Sequence, residues 1–161
     1  MRYLAARWVG LLVALLVLVL DVVSKGYILA HAASLPWKVV DGFFAIVLAW
    51  NRGMSFSFLN DVGAWGPWVL GSIAVLASIW FVHWLGETRA WYHQWGLGMI
   101  IGGAVGNLLD RVQHGAVVDF LLVYYGDWTF PAFNVADSAI TVGVVFLLGG
   151  GLWYKQREQK E

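Results

Sequence analysis

The chain contains no cysteine. That excludes disulfides, thiolate metal sites and a cysteine nucleophile, and it removes thiol usage as a guide to compartment. Charge is also scarce: 12% of the 161 residues are charged, against 60% hydrophobic. A soluble domain carries about a quarter charged residues, so much of this surface must be apolar and its solvent largely lipid. The formal net charge is zero. No basic stripe is present that would follow a phosphate backbone, which argues against a nucleic-acid partner. There is no internal repeat, and no low-complexity linker divides the chain. A single domain over residues 1–161 is expected.

What the sequence has in abundance is apolar length and tryptophan. Mean hydropathy is +0.70. The 11 tryptophans suit a protein whose ends meet a headgroup boundary, where indole rings collect. A helix crosses the hydrocarbon core with about 20 apolar residues. Four segments meet or approach that length: Trp8 to Ile28, Trp65 to Leu85, Ala90 to Leu109 and Asp137 to Tyr154. Arg2 and Arg7 before the first run imitate a secretory signal, but the run is too long for one and no small-x-small site closes it, so it reads as a retained span. The third segment carries Gly96, Gly98, Gly102, Gly103 and Gly106, which permit close helix–helix approach.

The expected fold is therefore an all-α membrane protein of four transmembrane helices with a small outer segment between helices 1 and 2. In that segment Phe43 to Phe58 pairs as short strands or lies on the membrane surface. Asp41-Gly42 and Asn60-Asp61 act there as turn-formers, and Pro36-Trp37-Lys38 reads as an interfacial turn. Four spans put both termini on one side, with Arg2, Arg7, Arg89, Lys155, Arg157 and Lys160; Lys38 lies opposite. The positive-inside rule assigns the termini to the cytoplasm.

This topology brings scattered polar residues to one depth. Asp21 and Lys25 fall near the outer end of the first span, Asn107, Asp110 and Arg111 at the outer end of the third, and Asn134 and Asp137 at the outer start of the fourth. Asp119 falls in the outer connection. Carboxylates in lipid are costly unless paired or hydrated, so such clustering reads as a site. Each residue also has a plainer role. Asp21 and Lys25, four apart on a helix, can be a simple ion pair. Asp110-Arg111 can end a helix at the headgroups, and Asp137 can be a helix-start carboxylate favoured by the macrodipole. Asp127 reads as a turn residue, His31, His83, His93 and His114 as interfacial, and Trp50 and Trp65 as anchors.

Elimination narrows the chemistry. There is no His-Glu-x-x-His for zinc and no Gly-x-Ser-x-Gly elbow. His83 is too far along its span to serve Ser72 as a base. Carboxylate chemistry remains. Two neighbouring aspartates cannot both ionise easily and so share a proton. One then draws a proton from water as the other donates to the scissile carbonyl. Asp119 and Asp137, with Asn134, can supply this.

Five blocks, in order over nearly the whole chain, resemble the lipoprotein signal peptidases (signal peptidase II). They are Asp21-Val-Val-Ser24-Lys25, Asn51-Arg52-Gly53-Met54-Ser55-Phe56-Ser57, Gly106-Asn107-Leu-Leu-Asp110-Arg111, Gly115-Ala-Val-Val-Asp119-Phe120 and Pro131-Ala-Phe133-Asn134-Val-Ala136-Asp137. The resemblance implies that Asp119 and Asp137 form the catalytic dyad of an aspartic endopeptidase. Asn51, Asn107, Arg111 and Asn134 would line the site, Asp21 and Lys25 would support it, and Gly53 would let the outer loop approach the substrate backbone. The implied substrate is a prolipoprotein whose cysteine carries a diacylglyceryl group, cut just before that cysteine at the outer face of a bacterial inner membrane. Membrane lipid is the other partner; a monomer is expected, and no metal or organic cofactor is implied. Met54-Ser55 departs from the small apolar residues frequent in the family. Two rival classes are a small proton-coupled transporter using the same carboxylates and a non-enzymatic membrane scaffold.

Overall fold

The computed structural model describes residues 2–53 and 66–158. Met54 to Ser57, the Asn60-Asp61 turn-former, Trp65 and Lys160 lie outside the described residues. The elements run α1 (Arg2–Ala30), a 3-10 turn (Ala32–Ser34), β1 (Trp37–Val40), β2 (Phe44–Asn51), α2 (Gly66–Glu87), α3 (Trp91–His114), β3 (Val117–Tyr125), β4 (Trp128–Thr129) and α4 (Val135–Glu158). Among the described residues two helices, Trp8–Ala30 and Trp68–Glu87, are long and apolar enough to cross a membrane, and Val135–Gly151 is a shorter apolar stretch.

The helices are apolar outward. On α1, Gly10, Val13, Ala14, Val17, Asp21 and Lys25 are buried along one stripe, at the three-and-four spacing of a helix face. Leu12, Leu15, Leu16, Val19 and Val23 are exposed on the other side. That inverts the pattern of a water-soluble helix. α3 is the central helix, packed against α1, α2 and α4, and its glycines form two contact faces. A Cβ at Gly98 or Gly102 would stand 2.9 Å from Val13 Cβ or Val17 Cβ of α1. One at Gly96 or Gly103 would stand 2.8 Å from Leu147 or Ile140 of α4. α3 therefore has small and polar residues where a lone span would carry leucine, which is why its composition departs furthest from a simple membrane helix.

The expectation of an all-α fold with strands confined between helices 1 and 2 is corrected. The sheet is antiparallel in the order β1-β2-β3-β4, and half of its strands come from the connection between α3 and α4. Val117 to Phe120 are all buried. A strand end covered on both faces shows no alternation and resembles any apolar run. Trp37 and Lys38, expected in a turn, lie in β1. Gly42, with φ 76°, turns β1 into β2, and Gly126-Asp127 forms the turn between β3 and β4. α3 also continues past Asp110-Arg111 to His114, where Gly115 at φ 67° closes it with its N–H bonded to Arg111 O.

Candidate active site

The site lies where the C-terminal ends of α1 and α3, the N-terminal end of α4 and the β2–β3 pair converge. Asp119 sits on β3 opposite Ala49 of β2, and Asn51 opposite Val117. Asn51 is thus the diagonal same-face neighbour of Asp119, a separation that a long side chain can bridge. Its Nδ2 donates to Asp119 Oδ2 at 2.9 Å, while its Oδ1 accepts from Gly53 N at 2.8 Å. Gly53 has φ 103°, a conformation that favours glycine, and a Cβ there would stand 2.7 Å from Leu70 of α2.

Asn134 and Asp137 form a reciprocal cap at the start of α4. Asp137 N donates to Asn134 Oδ1 at 2.9 Å, and Asn134 N donates to Asp137 Oδ2 at 3.3 Å. This is a capping box, with a carboxylate three residues beyond the N-cap side chain. The helix-start role of Asp137 therefore coexists with its place in the cluster. Asn134 Nδ2 also donates to Asp119 Oδ1 at 2.7 Å, so one asparagine holds both aspartates. Asn107 Nδ2 donates to Asp137 Oδ1 at 2.8 Å. Every oxygen of the two carboxylates accepts from an amide.

Behind this lies a buried ionic layer. Asp21 and Lys25 are 0% and 2% exposed, where unpaired charges could not persist. Lys25 Nζ donates to Asp21 Oδ2 at 2.6 Å and to Asn107 Oδ1 at 3.0 Å, and pairs with Asp110 Oδ2 at 2.9 Å. Three acceptors match its three protons. Asp21 Oδ1 accepts from Ala136 N at 2.9 Å, so α1 caps an otherwise orphaned N–H of α4. Asp110 Oδ2 also accepts from Val118 N at 2.9 Å, which fastens β3 one residue before Asp119. Asp21 and Lys25 are thus more than an isolated pair. The role of Asp110 was missed by sequence reasoning, although it was the fourth carboxylate at the same depth and stood in the Gly106-Asn107-Leu-Leu-Asp110-Arg111 block.

A cavity of about 610 Å³ opens in front, walled by Asn51, Gly53, Arg111 and Asp137, with Leu70 and Val142 on apolar sides. Asp119 is 2% exposed and stands behind Asn51. Arg111 Nη1 donates to Asn107 O at 3.1 Å, and its charge acts on Asp137, Asp110 and Asp119. Burial is the main influence on Asp119. It raises the carboxyl from the usual 3.8 to about 6, against the Asn51 bond, with the charge of Asp137 raising it further and Asn134 and Lys25 opposing. Removing water from a carboxylate disfavours its charged form.

All nine residues expected at the site meet here. Elsewhere, Trp50 packs edge-on against His114, with ring centroids 5.4 Å apart. His31, His83 and His93 lie apart from the cluster, bonded to Tyr27 O, Glu87 and Thr88. Among the described residues no group of three His, Cys, Asp or Glu is arranged to hold a metal.

The family model for signal peptidase (SPase) II matches residues 13–152. The chain belongs to the signal peptidase II family. It is 42% identical over 143 residues to a lipoprotein signal peptidase of Cellvibrio japonicus, covering 88% of this chain and 84% of that protein. It is 39% identical over 155 residues to one of Xanthomonas euvesicatoria pv. vesicatoria, covering 94% and 90%. A bacterial membrane enzyme structure obtained by the in meso method at 1.9 Å superposes with a TM-score of 0.72 at 28% identity, covering 89% of this chain and 92% of that one. Membership makes the chain an aspartic protease, and sets aside the transporter and scaffold alternatives.

Proposed function

We propose that this enzyme removes the signal peptide from diacylglyceryl-modified prolipoproteins, cutting just before the lipidated cysteine, with Asp119 and Asp137 as its catalytic pair. The observation that carries the reading is the amide frame: Asn51, Asn107 and Asn134 hold all four carboxylate oxygens without bringing a further anion. Asp119, buried and raised to about 6, holds the shared proton. Asp137, in the cavity wall at a helix N-terminus that favours negative charge, acts as base. A water gives a proton to Asp137 as its oxygen attacks the scissile carbonyl carbon, and Asp119 protonates the carbonyl oxygen. On collapse the C–N bond breaks, Asp137 returns a proton to the leaving amine, and Asp119 recovers its own. Turnover requires the amide of Asn51 to yield its place on Asp119 Oδ2 to the reacting group. Arg111 orients substrate carbonyls, and Gly53 lets the outer loop meet the substrate backbone.

The enzyme works as a single domain of four spans in the bacterial inner membrane, with termini in the cytoplasm and the site at the outer face. Support comes from the outward apolar faces of the helices, and from the convergence of three helix ends beside the sheet. One chain supplies both aspartates, so a monomer suffices. The test is conversion of a diacylated prolipoprotein by the purified enzyme beside the unlipidated form. Cleavage of the lipidated form with strong preference is expected; equal turnover of both would count against this substrate assignment.

A further inference from the structure

The three asparagines that hold the dyad all point the same way. A carboxamide turned over exchanges its oxygen, an acceptor, for its NH2, a donor of two protons. In each of the three the oxygen is claimed by a group that can only donate. Asn51 Oδ1 accepts from Gly53 N at 2.8 Å, and Asn134 Oδ1 from Asp137 N at 2.9 Å. Asn107 Oδ1 accepts from Lys25 Nζ at 3.0 Å. The first two donors are backbone N–H groups, which only proline would remove. The third is a side chain. Asn134 Nδ2 also stands 3.1 Å from Asn107 Oδ1, but its two protons are shared with Asp119 Oδ1 at 2.7 Å and Val118 O at 3.3 Å. The direction of Asn107 therefore depends on Lys25.

We propose that Lys25 is a positioning residue for the reaction: it claims the oxygen of Asn107, which turns that amide's NH2 onto Asp137 and keeps Asp137 the proton acceptor of the pair. This rests on the reading of Asp137 as base given above. Lys25 bonds to Asp21, Asn107 and Asp110 and acts on Asp137 through Asn107. Without the ammonium, the anions Asp21 and Asp110 draw the NH2 of Asn107 towards themselves, and the oxygen turns to Asp137 Oδ1, where Nδ2 now donates at 2.8 Å. A carbonyl oxygen in that place accepts only from a protonated carboxyl. The proton of the pair then passes from Asp119 to Asp137 and is held against Asn107, so the base for the attacking water is lost and the pair keeps its proton to higher pH. Arg111 of α3 is the other cation acting on the pair; Leu70, Asn51 and Gly53 line the remaining sides of the cavity without charge.

Lys25→Met removes the donor at similar length but leaves Asp21 and Asp110 buried without their cation, which threatens folding. Asp21→Asn/Lys25→Met removes one charge of each sign and so keeps the net charge of the buried layer. Both are compared with wild type, Asn107→Ala and the triple variant Asp21→Asn/Lys25→Met/Asn107→Ala on a diacylated prolipoprotein at matched, folded concentration. In both Lys25 variants kcat is expected to fall at least about tenfold with KM within about twofold. The decline of kcat/KM, expected through about 6 in wild type, should begin at least about one pH unit higher. On the Asn107→Ala background the paired change should lower kcat by no more than about twofold, because the amide through which Lys25 acts is gone. A loss of rate with an unmoved pH profile would overturn the proposal. So would a shift in Lys25→Met that the charge-balanced pair lacks, a charge-balanced pair that does not fold, or losses that multiply on the Asn107→Ala background. Failure of wild type to cleave the prolipoprotein, or full activity of folded Asp137→Asn, would instead overturn the reading on which the proposal rests.

Discussion

Asparagine, more than aspartate, organises the chemistry at the scale of single residues. Asn134 touches both carboxylates, and Asn107 reaches Asp137 with its amide while its oxygen receives Lys25. An amide supplies donors to a carboxylate without fixing its charge, so the pair remains free to exchange one proton. The buried member sets the pH response. Asp119 is raised to about 6: below that pH its proton is held, and above it the proton is lost together with the acid function. The kcat/KM profile of the free enzyme should therefore fall as pH rises through about 6; a profile flat from pH 5 to pH 8 would contradict it. Arg111 makes a second prediction. Lysine is a single point charge and cannot hold Asn107 O while presenting a planar fork to the substrate. Arg111→Lys should reduce the initial cleavage rate at matched folded protein by at least about tenfold, or about 1.4 kcal/mol. A near-normal rate would leave Arg111 a structural role only.

Helix contacts decide how accurately those residues meet. The glycine faces of α3 bring α1 close enough for Asp21 to cap Ala136 of α4 and for Lys25 to reach Asp110. Gly102→Val would drive a branched side chain against Ala14 O and Val17, and overpacking of this kind costs about 1–3 kcal/mol. Unfolding of the purified variant in graded SDS should show that loss; unchanged stability would mean that the helices are not held at this separation. Much of this level was legible beforehand. Glycine spacing marked α3 as a packing helix, because small residues allow close helix approach, and carboxylates and amides at one depth marked the cluster, because unpaired polar groups are costly in lipid. β3 was not legible. Val117 to Phe120 are buried on both faces, so the strand period vanishes from the apolar pattern. Asp110 was placed in the cluster but given no role beyond a helix end, because its partners, Lys25 and Val118 N, arrive from other elements.

For the whole molecule, the outward apolar surface and the one-sided polar cluster suit the proposed encounter with substrate from within the bilayer. On the four-span arrangement proposed above, Glu161 is expected in the cytoplasm and residues near Asn60 outside. A reporter fused at each position should read opposite compartments, and a common compartment would refute that arrangement. The account depends most on the identity of the catalytic pair, tested by initial cleavage of diacylated prolipoprotein by purified Asp119→Asn and Asp137→Asn at matched, folded concentration. Asparagine keeps the shape of each side chain but cannot exchange the proton. Each variant is expected to lose cleavage while it still inserts and folds; substantial turnover by either folded variant would contradict the assignment.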